Sequence, residues 1–477
     1  MFKTKEIVAA TQATLLGPAQ EVHFKGVSQN SKTINSGELF VAIQGERFDG
    51  HHFLKEVFER GVQAALIQKG KVKKEDFPGK FFFEVKDSIA ALGELANYHR
   101  KKFKIPVIGI TGSNGKTTTK DLTAHLLTGR YHVLKTLGNQ NNLIGLPFTL
   151  FRLDSTQEIS VLEMGMSIPF EIKRLAEIAA PSAGLITNIG DTHLKTMGSQ
   201  ETIAKAKGAL FEALPKQGMA FINIDDPHLK PYVKKIHSQV FTYSLENEGA
   251  DLKGEILEDL GLGGFHIRVF LKENVEEKID FFLPLPGVHN VMNALVAISV
   301  ALHFKVEKEK IIHLLSSFQA AQGRSKVIHL NRGITLIDDS YNANPSSMAA
   351  ALRLLERGID GPPEASAPSI YAVLGDMLEC GDQEKQYHQQ LGLLLGGLKI
   401  DNLLTFGSLS QYIVETARNK NKKLKAFWTN DREELISELK QRLSSELDAV
   451  ILIKGSHGMR MDLVVEALVK AIGQKVN

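Results

Sequence analysis

Apolar and polar positions change rhythm several times along the chain, and the changes divide it. Between residues 1 and about 85, short apolar runs alternate with helix-like ones: 38–43 and 62–67 read as strands and 53–60 as a helix, which predicts a small α/β domain. The helical stretch 87–104 then leads to Pro106, whose ring disfavours helix in the residue before it, so a boundary falls near residue 104. Strand-like runs at 107–110, 159–163 and 183–187 alternate with helices at 168–179 and 199–214, the pattern of a parallel sheet covered by helices. Residues 238–286 differ, because the short alternating runs 265–271 and 279–283 predict an antiparallel insert or subsheet. After residue 318 the α/β rhythm restarts with strands at 334–338, 370–374, 402–406 and 449–453, a doubly wound pattern in which 361–368 is a surface loop.

Chain length agrees with this division, since 477 residues exceed one ordinary core and suggest about three domains. The predicted fold class is α/β in three domains, at 1–104, 105–318 and 319–477. The 57 basic and 54 acidic residues leave a formal charge of +3, too weak a field to argue for nucleic acid or an anionic membrane. Basic runs such as 420–425 read as solvated surface. Cys380 is the single cysteine, so neither an internal disulfide nor a cysteine metal cluster is available, which fits a reducing compartment; it reads as buried and inert. The N-terminus lacks the apolar core of a secretory signal, which makes the cytoplasm the default. The longest nearly uncharged run, 288–304, is interrupted by His289, Asn290, Asn293 and His303 and reads as a buried helix, not a membrane span.

The chemistry concentrates at the ends of the strand-like runs. After the strand at 107–110 comes Thr111-Gly-Ser-Asn-Gly-Lys-Thr-Thr-Thr119. Gly112 and Gly115 permit a tight turn and close backbone approach, Lys116 adds a positive charge, and the helix that follows turns its N-terminal amides toward an anion. The strict Walker pattern asks for glycine where this chain has Ile110, yet strand, loop and helix together favour ATP as ligand, with Thr117 placed to hold magnesium. Glu163 ends its strand at the carboxyl edge, where it can reach magnesium or cap the next helix. His193 falls on the same edge, as a ligand of a second cation or a hydrogen-bonded loop histidine. Lys207, within a helix, reads as solvated. Asn290 and Asn293 lie three apart on one helix face, suited to reading an adenine ring or, for Asn290, to capping. Arg324 near a domain junction can reach a terminal phosphate or form a surface ion pair. The run Asp338-Asp-Ser-Tyr-Asn-Ala-Asn-Pro345 is dense in polar groups, and Lys454-Gly-Ser-His-Gly-Met-Arg460 can hold phosphate or carboxylate. A nucleotide-dependent switch needs no second set of groups aimed at a cleft, so the polar strand ends favour an enzyme.

Taken in order, these pieces resemble the Mur ligases of bacterial cell-wall synthesis. The resemblance runs from 36–45 with Asp49-Gly-His51, through the phosphate loop and Asn139-Gln-Asn-Asn-Leu-Ile-Gly-Leu-Pro147, to Leu162-Glu-Met-Gly165, Thr187-Asn-Ile-Gly190, Gly287-Val-His-Asn290, Gly375-Asp-Met-Leu-Glu379 and Lys454-Gly-Ser456. Ser340-Tyr-Asn-Ala-Asn-Pro345 points to the branch that adds D-alanyl-D-alanine to UDP-N-acetylmuramoyl-tripeptide. The resemblance implies a uridine-nucleotide-binding N-terminal domain, a central ATP-binding domain of P-loop ATPase type, and a Rossmann-like C-terminal domain that closes over ATP and binds the dipeptide. It implies ATP and two magnesium ions. Gly112, Ser113, Asn114, Gly115, Lys116, Thr117 and Thr118 would hold the phosphates, Thr117 and Glu163 one ion, and His193 with a carbamylated Lys207 the other. Asn290 and Asn293 would lie near adenine, Arg324 near the γ-phosphate and Asp339 near the nucleotide, with Lys116, His193, Lys207 and Arg324 as the catalytic set. Ser31, Lys32, Gly45, Asp49, Asn139, Asn142, Tyr341, Asn342 and Asn344 are the implied substrate contacts. Many relatives have Asp-Ser-Arg where this chain has Asn30-Ser31-Lys32, and a lysine there loses the planar fork of arginine. The implied enzyme is a cytoplasmic monomer without nucleic-acid partner or membrane insertion.

Overall fold

The computed structural model describes residues 1–18, 21–45, 48–190, 192, 194–357 and 368–475. Its described residues form three main sheets from successive stretches of chain. In the first, Gly26–Ser28, Glu38–Val41, Ala64–Gln68 and Phe81–Val85 run parallel, and Thr14–Leu16 pairs antiparallel on the edge. The near-continuous Ala64–Gln68 and Phe81–Val85 runs are buried on both faces, as parallel strands require.

The second sheet has nine strands, in the order Asn274–Leu283, Phe265–Leu271, Leu252–Asp259, Gln239–Ser244, Met219–Asn223, Ala183–Ile186, Val107–Thr111, Ile159–Glu163, Val133–Lys135. The antiparallel insert expected over 238–286 is smaller than its alternation suggested. Gln239–Ser244 and Leu252–Asp259 continue the parallel ladder, and the antiparallel pairings are those of Phe265–Leu271 with Leu252–Asp259 and with Asn274–Leu283. Alternation marks a half-exposed strand, and an edge strand of a parallel sheet is half exposed too. The apolar run at 288–304 is the buried helix Val288–His303.

The third sheet is doubly wound. Its strands Ile334–Asp339, Ala449–Lys454, Ser369–Gly375, Asn402–Phe406 and Lys425–Thr429 are parallel, with Lys326–His329 antiparallel at one edge. Apolar clusters cover both of its faces. The expected loop at 361–368 lies, apart from Pro368, outside the described residues.

Two helix starts move inward from their expected positions. The helix expected at 168–179 is Glu171–Ala179, because Pro169 and the left-handed Phe170 (φ 72°) end the preceding loop. The stretch expected at 87–104 is Ser88–Arg100, and the Asp87 carboxylate caps it by accepting from the amides of Ile89 and Ala90.

Candidate active site

The carboxyl ends of the second and third sheets face each other across a cleft of about 580 Å³. In the second sheet Glu163 pairs in register with Ile110, so the phosphate loop and the acid leave adjacent strands side by side. In the third, Asp339 and Lys454 are register partners at the ends of neighbouring strands. Both are the crevice positions at which open α/β sheets bind ligands.

Gly112 fixes the course of the loop. Its φ is 150°, and a Cβ there would sit 1.8 Å from Thr187 Oγ1. Gly115 (φ 78°) precedes the helix Lys116–Leu127, and a Cβ there would come within 2.7 Å of Asn293 Oδ1, so the loop presses directly on the helix Val288–His303. Lys116 Nζ folds back to donate to the carbonyls of Gly112 (2.8 Å) and Ser113 (3.2 Å). Burial lowers its pKa while the Glu163 carboxylate opposes the shift.

Glu163 is 2 % exposed. Asn141 donates to its Oε1 at 2.7 Å, while its Oε2 is buried with no hydrogen-bond partner among the described residues. A buried carboxylate oxygen left without a donor is costly, so this one fits a cation arriving from the cleft. Lys207 overturns the solvated reading, being 2 % exposed with Nζ donating to the Gly112 carbonyl at 3.0 Å. Burial, with the Lys116 charge second, pushes its pKa well down and favours the neutral amine. His193 lies outside the described residues.

From the third sheet's side, Arg324 donates to Thr117 Oγ1 at 3.3 Å and its guanidinium lies 3.9 Å above the Tyr341 ring. Asp339 accepts from Lys454 Nζ (2.6 Å) and from the Ser325 amide (3.0 Å). Burial would raise the Asp339 carboxyl, but the Lys454 charge and hydrogen bond outweigh it and hold the pKa down. Lys454 also donates to the Asn342 carbonyl at 2.9 Å, so this ion pair sets the shape of the polar run before Pro345.

The cleft therefore gathers Ser113–Thr118 of the loop, Asn139, Asn142, Glu163, Asn290, Asn293, Arg324, Asp339, Tyr341, Asn342 and Asn344. Asn290 is not a cap; Gly287 holds that position, and Asn290 donates to the Pro286 carbonyl while accepting from Asn293. Cys380 is half-buried on the cleft wall, not fully buried as expected, and burial pushes its thiol up to about 11, which keeps it in the unreactive thiol form. Ser31, Lys32, Gly45 and Asp49 lie in the first sheet's domain, away from the cleft. Asp49 caps a short turn and binds His51 Nδ1 (2.5 Å) and Lys71 (3.4 Å). A second cavity of about 490 Å³ opens between 26–30 and 137–152, with Asn30, Gln140 and Arg152 in its lining.

Sequence reasoning missed two polar groups. Asn141 holds Glu163, whereas the neighbouring Asn142 accepts from the amides of Ile144 and Gly145 where a helix begins. Three asparagines in four positions gave no means of choosing between them. Asn188 braces the phosphate loop through both ends of its amide; its place directly after a strand end was the available signal.

Models of the Mur ligase middle domain, the Mur ligase glutamate ligase domain and the Mur ligase family catalytic domain match residues 110–301, 323–457 and 23–100. The chain is 35% identical over 472 residues to the UDP-N-acetylmuramoyl-tripeptide–D-alanyl-D-alanine ligase of Bacillus subtilis, covering 98% of each chain. To the Escherichia coli enzyme of that name it is 33% identical over 450 residues, covering 94% of each. Among solved structures, MurF from Acinetobacter baumannii superposes with a TM-score of 0.86 at 30% identity, covering 98% of this chain and 99% of that one. MurF from Thermotoga maritima in complex with ADP gives 0.79 at 29% identity, covering 93% and 97%.

Proposed function

The chain belongs to the Mur ligase family, and from that premise we propose how its cleft performs the reaction. The protein is an ATP-dependent ligase that joins D-alanyl-D-alanine to UDP-N-acetylmuramoyl-tripeptide in peptidoglycan precursor synthesis. The observation that carries the mechanistic reading is the meeting of Arg324, from the third sheet's side, with Thr117 of the phosphate loop.

In this reading residues 1–104 hold the uridine nucleotide, 105–318 hold ATP, and 319–477 close over both and bring the dipeptide. Lys116 contacts the β- and γ-phosphates and Asn290 with Asn293 lie against adenine. The tripeptide carboxylate attacks the γ-phosphorus to give an acyl phosphate, which the dipeptide amine displaces with loss of phosphate. The difficulty is the approach of two anions, and Lys116 and Arg324 are the fixed cations that offset their repulsion. Arg324 is pre-oriented by its stacking on Tyr341. Closure of the third sheet's domain excludes water that would hydrolyse the acyl phosphate.

Thr117 and the partnerless Oε2 of Glu163 would hold one magnesium ion, with Asn141 fixing the carboxylate from behind. Lys207 and His193 would hold the other once the neutral amine has added to carbon dioxide and released a proton, leaving a carbamate beside Lys116. Such ions supply positive charge to the phosphoryl oxygens. The reaction consumes ATP, which favours the cytoplasm, and one copy of the chain supplies every group assigned here, which favours a monomer. No helix among the described residues is long and apolar enough to cross a membrane.

The test is phosphate release together with mass detection of the amide product. Both are expected only when tripeptide and D-alanyl-D-alanine are present together. Phosphate release without the dipeptide, or equal product with glutamate in its place, would overturn the assignment.

A further inference from the structure

Asn114 stands in the middle of the phosphate loop and was expected among the nucleotide contacts, yet each of its four polar atoms is engaged elsewhere. Its N–H donates to Asn188 Oδ1 at 3.0 Å, and its carbonyl accepts from Asn188 Nδ2 (3.0 Å) and Thr187 Oγ1 (2.5 Å). Its side chain points to the third sheet's domain. Oδ1 accepts from Asn344 Nδ2 at 2.7 Å, Nδ2 donates to Ser346 Oγ at 3.0 Å, and Ser346 Oγ donates onward to Asn344 Oδ1 at 2.9 Å. The three residues form a closed ring in which every donor meets an acceptor. Asn344 precedes the helix Pro345–Arg357 and also accepts from the Ser347 amide at 2.9 Å, so the ring grips the end of a thirteen-residue helix.

We propose that Asn114 is a positioning residue and not a nucleotide contact: Asn188 anchors it on the central sheet, and its amide latches the closing domain through Asn344 and Ser346. The inference rests on the reading of the cleft as a nucleotide site and assigns a separate task within it. The Asn114 ring and the Arg324–Thr117 contact both cross the cleft mouth, and they differ in kind. Arg324 and Thr117 are both groups that the triphosphate would recruit, so their 3.3 Å contact is exchanged when nucleotide binds. The Asn114 ring uses atoms already committed to one another, so it persists with nucleotide in place. It therefore sets where Arg324 stands when the γ-phosphate arrives, through the strand end and polar run that join Arg324, Tyr341 and Asn344.

The experiment uses the full chain and two variants on opposite sides of the cleft. Asn114→Ala removes the latch amide but keeps the backbone clamp to Asn188. Asn344→Ser keeps a helix-capping hydroxyl but cannot span to Asn114. Each is expected to lower turnover about tenfold or more, since misplacement on the ångström scale is enough for that. The double variant should be no worse than about threefold below either single one, because both remove the same contact. Affinity for ADP should stay within about twofold of the parent, and small-angle scattering with ADP should show a larger radius of gyration in both variants. A fall of about tenfold in ADP affinity in Asn114→Ala, or losses that multiply in the double variant, would overturn the latch. Should Asn114→Ala fail to fold, Asn344→Ser decides alone, by turnover and scattering. Absence of ligation in the parent chain would count against the proposed function, while the ADP and scattering measurements would still judge the latch.

Discussion

The molecule has two seams between its sheets, and they are built on opposite principles. Between the first and second sheets the helix Ser88–Arg100 is buried on both sides in one continuous apolar cluster that runs from Phe2 and Leu66 to Leu175 and Leu210. Gly93 lets it approach so closely that a Cβ there would meet Ile178 Cδ1 at 2.7 Å. Asn97 donates to the carbonyls of Glu177 and Ile178, and Arg174 pairs with Glu94 at 2.7 Å. Between the second and third sheets, by contrast, lies the open cleft, bridged by polar contacts at Asn114 and Arg324 and by Leu262 resting on the third sheet's core. Apolar burial over a wide area fixes geometry, whereas a few hydrogen bonds across water can be exchanged at little cost. On the proposed function, the welded seam would present one substrate to the phosphate loop, and the polar seam would open for the others.

If that contrast holds, damage at the polar seam should appear in turnover and damage at the welded seam in stability. The largest effect is expected for Lys116→Ala. Its ammonium is the nearest fixed cation to the loop, and loss of such a group costs on the order of 10²- to 10³-fold in turnover. Its bonds to the Gly112 and Ser113 carbonyls are only part-buried on the cleft wall, so the melting temperature should stay within about 2 °C of the parent. Turnover within about tenfold of the parent would remove Lys116 from the mechanism.

Arg100→Ala tests the other seam. Arg100 is 7 % exposed, and its guanidinium donates to the carbonyls of Ala179, Phe103 and Ile105 at 3.1, 2.6 and 3.0 Å. Removing it leaves one buried and two part-buried acceptors unmet, with an expected cost of about 3 kcal/mol in denaturant unfolding. Michaelis constants and turnover of the folded fraction should not change. A variant as stable as the parent but slow to turn over would mean that this seam also moves.

The same contrast separates what could be read in the sequence from what could not. Strands, helices and the order of the three sheets followed from apolar periodicity, because burial in a layered α/β fold imposes it locally. Glu163, Arg324, Asp339 and the loop glycines were legible because each sits at a strand end or junction, where the fold directs polar groups into a crevice. The burial of Lys207 was not, since a lysine on a helix carries no mark of which face packs inward. The side-chain partners of Asn114, Asn344 and Ser346, come from more than 200 residues away, and no local pattern encodes that distance. Nor did the chain announce that Ser88–Arg100 lies in one core shared by the first two sheets: a boundary was expected near 104, as though the helix closed one domain, while its buried residues pack with both.

The smallest expected effect lies at the rim of the welded seam, in acid. Glu6 joins the helix Thr4–Thr11 to the seam helix's end, through Lys102 Nζ at 2.9 Å and Tyr98 Oη at 3.1 Å, while its other oxygen accepts from the Lys3 amide at 2.7 Å. Burial would raise the carboxyl, but these hydrogen bonds, Lys102 foremost, outweigh it and hold the pKa at about 2. In the unfolded chain a glutamate titrates near about 4.3. The folded value is the lower one, so the contribution is fully present above the unfolded pKa and is lost as pH falls through the folded one. A partly exposed pair of this kind contributes on the order of 1 kcal/mol. Glu6→Gln should therefore be less stable than the parent by about that much at pH 7, with the difference shrinking below about pH 4 and gone near about pH 2. Equal turnover at pH 7 in the two proteins is part of the expectation, because this contact is remote from the cleft. If the gap instead persists undiminished at low pH, the contact stabilises by packing alone and the charge of Glu6 contributes nothing to the seam.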